Sequence, residues 1–264
     1  MLDEKLAATA RAQRALAELS DRPLNFDPAE LRDASADTGW HVDDYEQALP
    51  REPPGDPISG GSFEIAQRLM RDYAFADPAM VHAVYDPAGD LAERNMLLQV
   101  RFGPLRFFFG CRVGTITDET RTVDGRSVRV WGWSYGTLAG HVERGQMDWT
   151  VWKWLDDGTV EFRIHVVSRR AKVRNPIVRL GFRLVGRGQQ TCFARRACAR
   201  MSELVARELE RESGVGGDGG GSAPADERGA AQLRGEGGAL AQQRGVRDGH
   251  ERHLATAYPE QHAL

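Results

Sequence analysis

The feature that most constrains the fold is an alternation of apolar and other side chains in the middle of the chain. Within residues 105–116 the alternating apolar positions are Leu105, Phe107, Phe109, Cys111 and Val113. Residues 159–167 repeat the pattern with Val160, Phe162, Ile164 and Val166. A period of two places these side chains on one buried face of a β-strand. Asp124-Gly125 and Asp157-Gly158 favour tight hairpin turns, so the pattern predicts an antiparallel sheet.

The remaining patterns predict the elements around this sheet. About five strands are expected, over residues 95–102, 105–116, 128–135, 147–155 and 159–167. Residues 3–19 and a segment capped by Ser62 have helical spacing, and the acidic, proline-rich residues 27–60 are expected to form a loop. A last helix is predicted to begin at Asn175-Pro176, with a kink or break near Gly186 and Gly188.

These elements predict an α+β fold in which a curved antiparallel sheet packs on a long C-terminal helix. A single sheet has to bury one face, and the last helix is the available partner. The order of elements resembles the START-like helix-grip fold, whose members commonly hold apolar ligands between sheet and helix. We expect an N-terminal helix or extension over residues 1–20, one domain over 21–212, and a disordered glycine-rich tail over 213–264.

Composition excludes several classes of protein. With 264 residues, 41% hydrophobic residues and a net charge of −3, the chain is neither wholly disordered nor a fibrous repeat. No apolar run reaches the roughly 18 residues that a membrane-spanning helix needs. Cys111, Cys192 and Cys198 form no C-x-x-C pair, and the N-terminus lacks the order of a signal peptide. We therefore expect a cytoplasmic protein without a disulfide framework.

The most unusual stretch runs from Trp131 to Gly145 and contains Tyr135, Thr137, His141 and Glu143. An imidazole titrates near neutral pH, so His141 is a candidate general base that Glu143 or Tyr135 would assist. The alternative interpretation is a long turn between strands, in which Thr137 and His141 bond to the backbone. No nucleophile or metal partner is evident beside them, so no catalytic residue, metal ligand or cofactor is assigned.

This stretch resembles the signature Tyr-Gly-Thr-Leu-Pro-Gly-His of the family known as uncharacterised protein family 0548. Three further segments match the same family: Leu24-Asn25-Phe26, Cys111-Arg112-Val113 and Ser168-Arg169. The chain departs from the family pattern at Ala139, at Gln146-Met147 and at Arg170. The family has no established reaction, so the resemblance implies a fold and a surface over residues 23–201, and no activity.

Aromatic and basic residues give two further candidate surfaces. Trp131, Trp133 and Trp149 suit the wall of a cavity for a flat or apolar ligand, or equally a packed aromatic core. Residues 163–211 contain thirteen Lys and Arg against three acidic residues, whereas residues 1–57 contain thirteen acidic and six basic residues. The basic residues form a docking surface, or the acidic N-terminal region covers them.

The sequence therefore predicts a domain that binds an apolar or aromatic small molecule between the sheet and the C-terminal helix. The alternatives are a hydrolase or isomerase that uses His141 as base, and a basic docking module for a protein or nucleic acid. Nucleic acid is the less expected partner, because no RNA-binding motif accompanies the arginines. The predicted ligand-binding residues are Tyr135, Thr137, His141, Glu143, Trp131, Trp133, Trp149 and Arg112.

Overall fold

The structure is a computed structural model that describes residues 9–102, 105–171 and 176–215. Within these ranges, the side chains of residues 102, 105, 176–186 and 214–215 are not described. Most of the tail predicted for residues 213–264, and the start of the predicted N-terminal helix, therefore lie outside the described residues. No helix within the described ranges is both long and apolar enough to cross a membrane.

Three α-helices and seven strands make up the described part of the chain. The helices are α1 (Ala10–Ala17), α2 (Ser62–Arg71) and α3 (Pro176–Val215), with short 3₁₀ turns at Pro28–Leu31 and Leu91–Glu93. The strands are β1 (His41–Leu49), β2 (Val81–Val84), β3 (Asn95–Phe102), β4 (Leu105–Val123), β5 (Arg126–Thr137), β6 (Glu143–Trp154) and β7 (Val160–Arg170).

All seven strands form one antiparallel sheet in the order β1-β7-β6-β5-β4-β3-β2. The predicted α+β helix-grip fold is confirmed, and α3 continues past Gly186 and Gly188 without a break in its helical assignment. The register of β4 and β5 shifts between Val113 and Ile116, and such an irregularity bends a sheet.

The expectation of about five strands was wrong, because β1 and β2 were missed. β1 lies inside the stretch expected to be a loop, but the proline cluster begins only at Pro50, after the strand has ended. As an edge strand with few buried side chains, β1 carries Asp43, Asp44 and Glu46, which hide its alternation. β2 has four residues, too few for a period to be recognised.

The inner face of the sheet packs against α2 and α3. Trp133, Trp149 and Phe162 are fully buried there, and α3 contributes the predicted apolar stripe. The buried members of that stripe are Ala194, Ala197, Cys198, Met201 and Val205. The outer face is covered in places, by α1 around Leu97 and Leu138 and by Phe26 and Trp40 around Val167. Burial on both faces explains why the strands contain so many large apolar residues.

The acidic N-terminal region covers part of the basic surface. Glu30 forms ion pairs with Arg144 and Arg169, and Asp43 of β1 pairs with Arg187 of α3. The contacts of Glu30 and Asp43 favour the interpretation in which the acidic segment neutralises arginines. Farther along α3, Arg196 pairs with Asp77, which lies outside that segment.

A buried carboxylate holds the start of α2, where the expected Ser62 cap is wrong. Ser62 is the first helical residue, and the N-cap Gly61 has no side chain to bond the helix. Instead, Glu52 accepts a 2.7 Å hydrogen bond from the Phe63 amide. Lys153 of β6 donates to Glu52 at 2.6 Å, and both side chains are almost completely buried. This ion pair ties the 50–62 segment to the sheet.

Lys153→Met is expected to lower the free energy of unfolding by about 3–5 kcal/mol, because it leaves the Glu52 carboxylate buried without its cation. The matched control is Arg207→Met, which removes a cation from an exposed pair with Glu203 and should cost less than about 1 kcal/mol. Guanidinium unfolding measures both values. Equal losses in the two variants would contradict the structural role of the Lys153–Glu52 pair.

Candidate functional site

The turn between β5 and β6 is fastened by the hydroxyl group of Thr137. This hydroxyl donates to Asn25 Oδ1 at 2.6 Å and accepts the Gly145 amide at 3.0 Å. Asn25 Nδ2 donates in turn to the Glu143 carbonyl at 2.8 Å. Gly145 has φ +142°, and a Cβ there would collide with the Val167 carbonyl, so glycine is required.

The four segments that carried the family resemblance meet at this turn. Leu24 bridges to Leu138, and Asn25 bonds Thr137. In the sheet register, Cys111 lies opposite Thr137, and Ser168 lies opposite Gly145. Segments up to about 140 residues apart in sequence therefore form one junction.

A small pocket opens beside the junction, between the turn, the end of β7 and α3. Its volume is about 50 Å³. About 10–15 Å³ measured in this way holds one water molecule, so the pocket has room for a few waters or one small polar group. The lining residues are Tyr135, Thr137, His141, Glu143, Arg144, Gly145, Gln146, Met147, Val166, Ser168 and Gln190.

Several polar atoms of the lining side chains lack a hydrogen-bond partner among the described residues, and the buried Arg144 Nε is one of them. His141 Nδ1 lies 3.0 Å from both the amide nitrogen and the carbonyl oxygen of Glu143, and it accepts from the amide in the tautomer that carries its proton on Nε2. Nε2 makes no hydrogen bond with the described residues. Glu143 Oε2 accepts from Gln190 at 3.3 Å, whereas Oε1 has no donor. Gln190 also donates to Ser168 Oγ at 3.0 Å, which fixes the amide between α3 and β7. The pocket therefore presents His141 Nε2 and Glu143 Oε1 to an incoming group.

Burial shifts the protonation of both side chains toward their neutral forms. Loss of solvation raises the pKa of Glu143 to about 7, although Arg187 and Arg170 oppose the shift. Loss of solvation lowers the pKa of His141 to about 4, against the hydrogen bond to the Glu143 backbone. Near neutral pH the imidazole is therefore uncharged, and the carboxyl group is close to its midpoint.

The structure brings together four of the predicted ligand-binding residues, namely Tyr135, Thr137, His141 and Glu143. Arg112 lies elsewhere: its guanidinium donates to the carbonyls of Leu19 and Ser20 and to Asn95 Oδ1, and so holds the segment after α1. It does not line the pocket, because its strand position faces the opposite side of the sheet from Tyr135.

The three predicted tryptophans also lie outside the pocket lining. Trp133 and Trp149 are packed in the aromatic core, and Trp131 lies under the Arg71 guanidinium at 4.9 Å. Their side chains are at most 1% exposed, so they form a packed core and not an open cavity wall. Among the described residues, no three His, Cys, Asp or Glu side chains are grouped to hold a metal ion.

Several lining residues were not among the predicted ligand-binding residues. Ser168 belongs to a segment that matched the resembled family, and Gln146-Met147 is a position of departure from it, so the resemblance gave a usable signal for all three. Gln190 gave no signal, because its place beside Glu143 depends on how α3 packs against the sheet. Val166 was predicted only as a buried strand residue.

Comparisons with known proteins place the chain in a family. The model of a domain of unknown function, DUF1990, matches residues 27–200, which is more than half of the chain. No match is found among curated proteins.

Two solved structures are similar in outline. The crystal structure of Ara h 8.0201 has a TM-score of 0.38 and 9% identity, covering 64% of this chain and 99% of that one. A norcoclaurine synthase point mutant from Thalictrum flavum, in complex with a transition-state analogue, has a TM-score of 0.39 and 10% identity, covering 66% and 96%. TM-scores this low do not establish a shared fold, so the fold assignment rests on the helices and the sheet described above.

Replacing Glu143 is expected to change how stability depends on pH. The pKa is about 7 in the folded protein and near 4.5 in the unfolded chain, so folding favours the protonated form. The stabilisation from this raised pKa is fully present below pH 4.5 and is lost as pH rises through 7. The free energy of unfolding of Glu143→Gln should therefore increase relative to that of wild type between pH 4.5 and 8, by at most about 3 kcal/mol.

Guanidinium unfolding at pH 4.5 and pH 8 measures this difference. The control is Glu203→Gln on the exposed side of α3, for which the difference from wild type should be the same at both pH values. A Glu143→Gln difference that does not change with pH would show that the carboxyl group titrates normally.

Proposed function

The chain belongs to the DUF1990 family, and from the geometry of its pocket we propose that it binds a small molecule by one polar group. The polar group enters between His141 and Glu143. The apolar or aromatic body of the ligand begins against the apolar wall, which Tyr135, Met147 and Val166 form.

The observation that carries this proposal is the pair of unpartnered polar atoms in one enclosure. Most other polar groups at the junction are paired, including the Thr137 hydroxyl and the Gln190 amide. Both atoms face the open pocket, so a donor and an acceptor side by side favour a ligand group that bonds to both. A ligand hydroxyl complements them, because it accepts from His141 Nε2 and donates to Glu143.

The size of the pocket limits how much of the ligand enters. Ligand cavities usually have about 300–1,000 Å³, several times the volume here. Elsewhere the inner face is filled by rings in contact, such as Phe75 and Trp149 with centroids 4.5 Å apart. A large apolar ligand in the middle of the sheet–helix space therefore has no room in this arrangement, and the proposal is restricted to the end of that space.

The protonation states of the pocket favour a second candidate function, proton transfer next to a carbonyl group. With a pKa of about 4, His141 is too weakly basic to serve as the expected general base near neutral pH. Glu143, with a pKa of about 7, is the better proton acceptor. In this candidate the neutral His141 Nε2–H polarises the carbonyl oxygen while Glu143 removes the adjacent proton.

A pair of matched probes tests the binding proposal. Benzyl alcohol and toluene share a ring and differ in the hydroxyl group. We expect benzyl alcohol to shift the backbone amide NMR signals of residues 137–147, and toluene to leave them in place. Glu143→Gln and His141→Phe should each weaken benzyl alcohol binding by about 2- to 10-fold, because each removes one hydrogen bond.

Glu203→Gln is the control for this experiment and should bind benzyl alcohol as wild type does. Identical responses to both probes, or no response to either at millimolar concentration, would contradict the binding proposal.

For the second candidate, cyclohexanone in D₂O is the probe. Exchange of its α-protons in wild type but not in Glu143→Gln would support proton transfer, and equal exchange in both would remove it.

A further inference from the structure

A charged pair fastens the edge strand β1 to α3 beside the pocket. The Arg187 guanidinium donates to both carboxylate oxygens of Asp43, and its bond to Oδ1 is 2.5 Å long. A planar guanidinium matches a carboxylate in this two-bond arrangement, which is stronger than a single contact. The Asp43 side chain is 19% exposed, so water screens the pair only in part. The pair therefore fixes the direction in which the Arg187 side chain points.

Arg187 also belongs to a chain of hydrogen bonds that reaches the pocket. Its Nη1 donates to Gln190 Oε1 at 3.2 Å, and Nε2 of the same amide donates to Glu143 Oε2 at 3.3 Å. Arg187 and Gln190 are three residues apart on α3, so they lie on the same side of the helix. In this chain, one amide group stands between the guanidinium and the carboxyl group.

The charges around Glu143 come from several elements. Arg187 faces it from α3, and Arg170 lies opposite it in the register of β6 and β7. Burial raises the pKa of Glu143 to about 7, and these two guanidinium groups oppose the rise without cancelling it. The other titratable neighbours are uncharged near neutral pH, because burial lowers the pKa of His141 to about 4 and raises that of Tyr135 well above its usual value.

We propose that Asp43 is a positioning residue of the pocket, which holds Arg187 away from Glu143 and so leaves the carboxyl group open to a ligand. A cation in direct contact typically lowers the pKa of a carboxyl group by about 1 to 3 pH units. Without Asp43, the guanidinium turns to Glu143, ionises it and occupies its oxygen atoms. The consequence for ligand binding rests on the proposed function, whereas the effect on the protonation of Glu143 does not.

The next residue of β1 supplies a matched control. Asp44 carries the same charge but points to the outer face of the sheet, where its Oδ1 lies 2.8 Å from Nδ1 of His165. Burial lowers the pKa of His165, but Asp44 and the carboxylates near it outweigh burial and raise it. Asp44→Asn therefore removes one negative charge from the same strand without disturbing Arg187.

The pKa of Glu143 in the ligand-free protein, followed by ¹³C NMR of its side-chain carboxyl carbon, tests the proposal. Asp43→Asn is expected to lower this pKa by about one pH unit or more, because the released guanidinium pairs with Glu143. Asp43→Glu should keep it near the wild-type value, because a carboxylate still holds Arg187. Asp44→Asn should lower the pKa of His165 and leave that of Glu143 in place.

A double variant separates release of Arg187 from the direct loss of a negative charge. Asp43→Asn with Arg187→Gln removes the whole pair, so the pKa of Glu143 should stay within about half a pH unit of wild type. A fall as large as in Asp43→Asn alone would overturn the positioning role. Because the double variant leaves no unpaired charge, it decides the question even if Asp43→Asn fails to fold: a rise of about one pH unit or more would show that Arg187 already acts directly on Glu143.

Two further outcomes for the Glu143 pKa would overturn the role of Asp43, namely no shift in Asp43→Asn and an equal shift in Asp44→Asn. Benzyl alcohol binding near neutral pH then separates this inference from the proposed function. We expect Asp43→Asn to bind benzyl alcohol about 2- to 10-fold more weakly than wild type, because Arg187 occupies the carboxyl oxygens. Binding to wild type without a pKa shift in Asp43→Asn would remove the inference and leave the pocket. The expected pKa shift without any binding to wild type would remove the proposed function and leave Asp43 as the residue that withholds Arg187.

Discussion

Burial of the inner sheet face against α2 and α3 is the interaction on which the rest of this structure depends. The largest side chains of β5, β6 and β7 meet the apolar stripe of α3 there, and the rings of Trp149 and Phe162 stack at 6.4 Å. Apolar packing of this kind excludes water along the middle of the sheet. Most of the pocket's polar groups are therefore displaced to one end, where β5 turns into β6. The position of the pocket follows from where the apolar face stops.

The strands were predictable where an alternation of apolar residues indicates a buried face. β3 was predicted with its bounds, and the turn at Asp124-Gly125 was recognised because both residues take positive φ, which this pair tolerates. β1 escaped because an edge strand with exposed acidic side chains looks like a polar loop. The Ser62 cap failed because the group that bonds the helix start, Glu52, lies ten residues upstream and reaches it only through the fold.

The site was predictable only where its residues are adjacent in sequence. Tyr135, Thr137, His141 and Glu143 lie within nine residues and were found together, whereas Gln190 reaches Glu143 from α3. Trp131, Trp133 and Trp149 share one buried face, but a sequence pattern alone does not distinguish a cavity wall from a filled core. Membership of family 0548, the division into three segments and the cytoplasmic location stay predictions, because nothing observed tests them.

The meeting of four distant segments at one turn has an evolutionary consequence. The Thr137 hydroxyl donates to Asn25 and accepts from the Gly145 amide, so an apolar residue in place of Asn25 or Thr137 leaves a polar atom of the other without this hydrogen bond. When one of these two residues is replaced during evolution, selection favours a compensating replacement of the other. We expect Asn25 and Thr137 to co-vary among relatives of this chain, as two halves of one inherited contact.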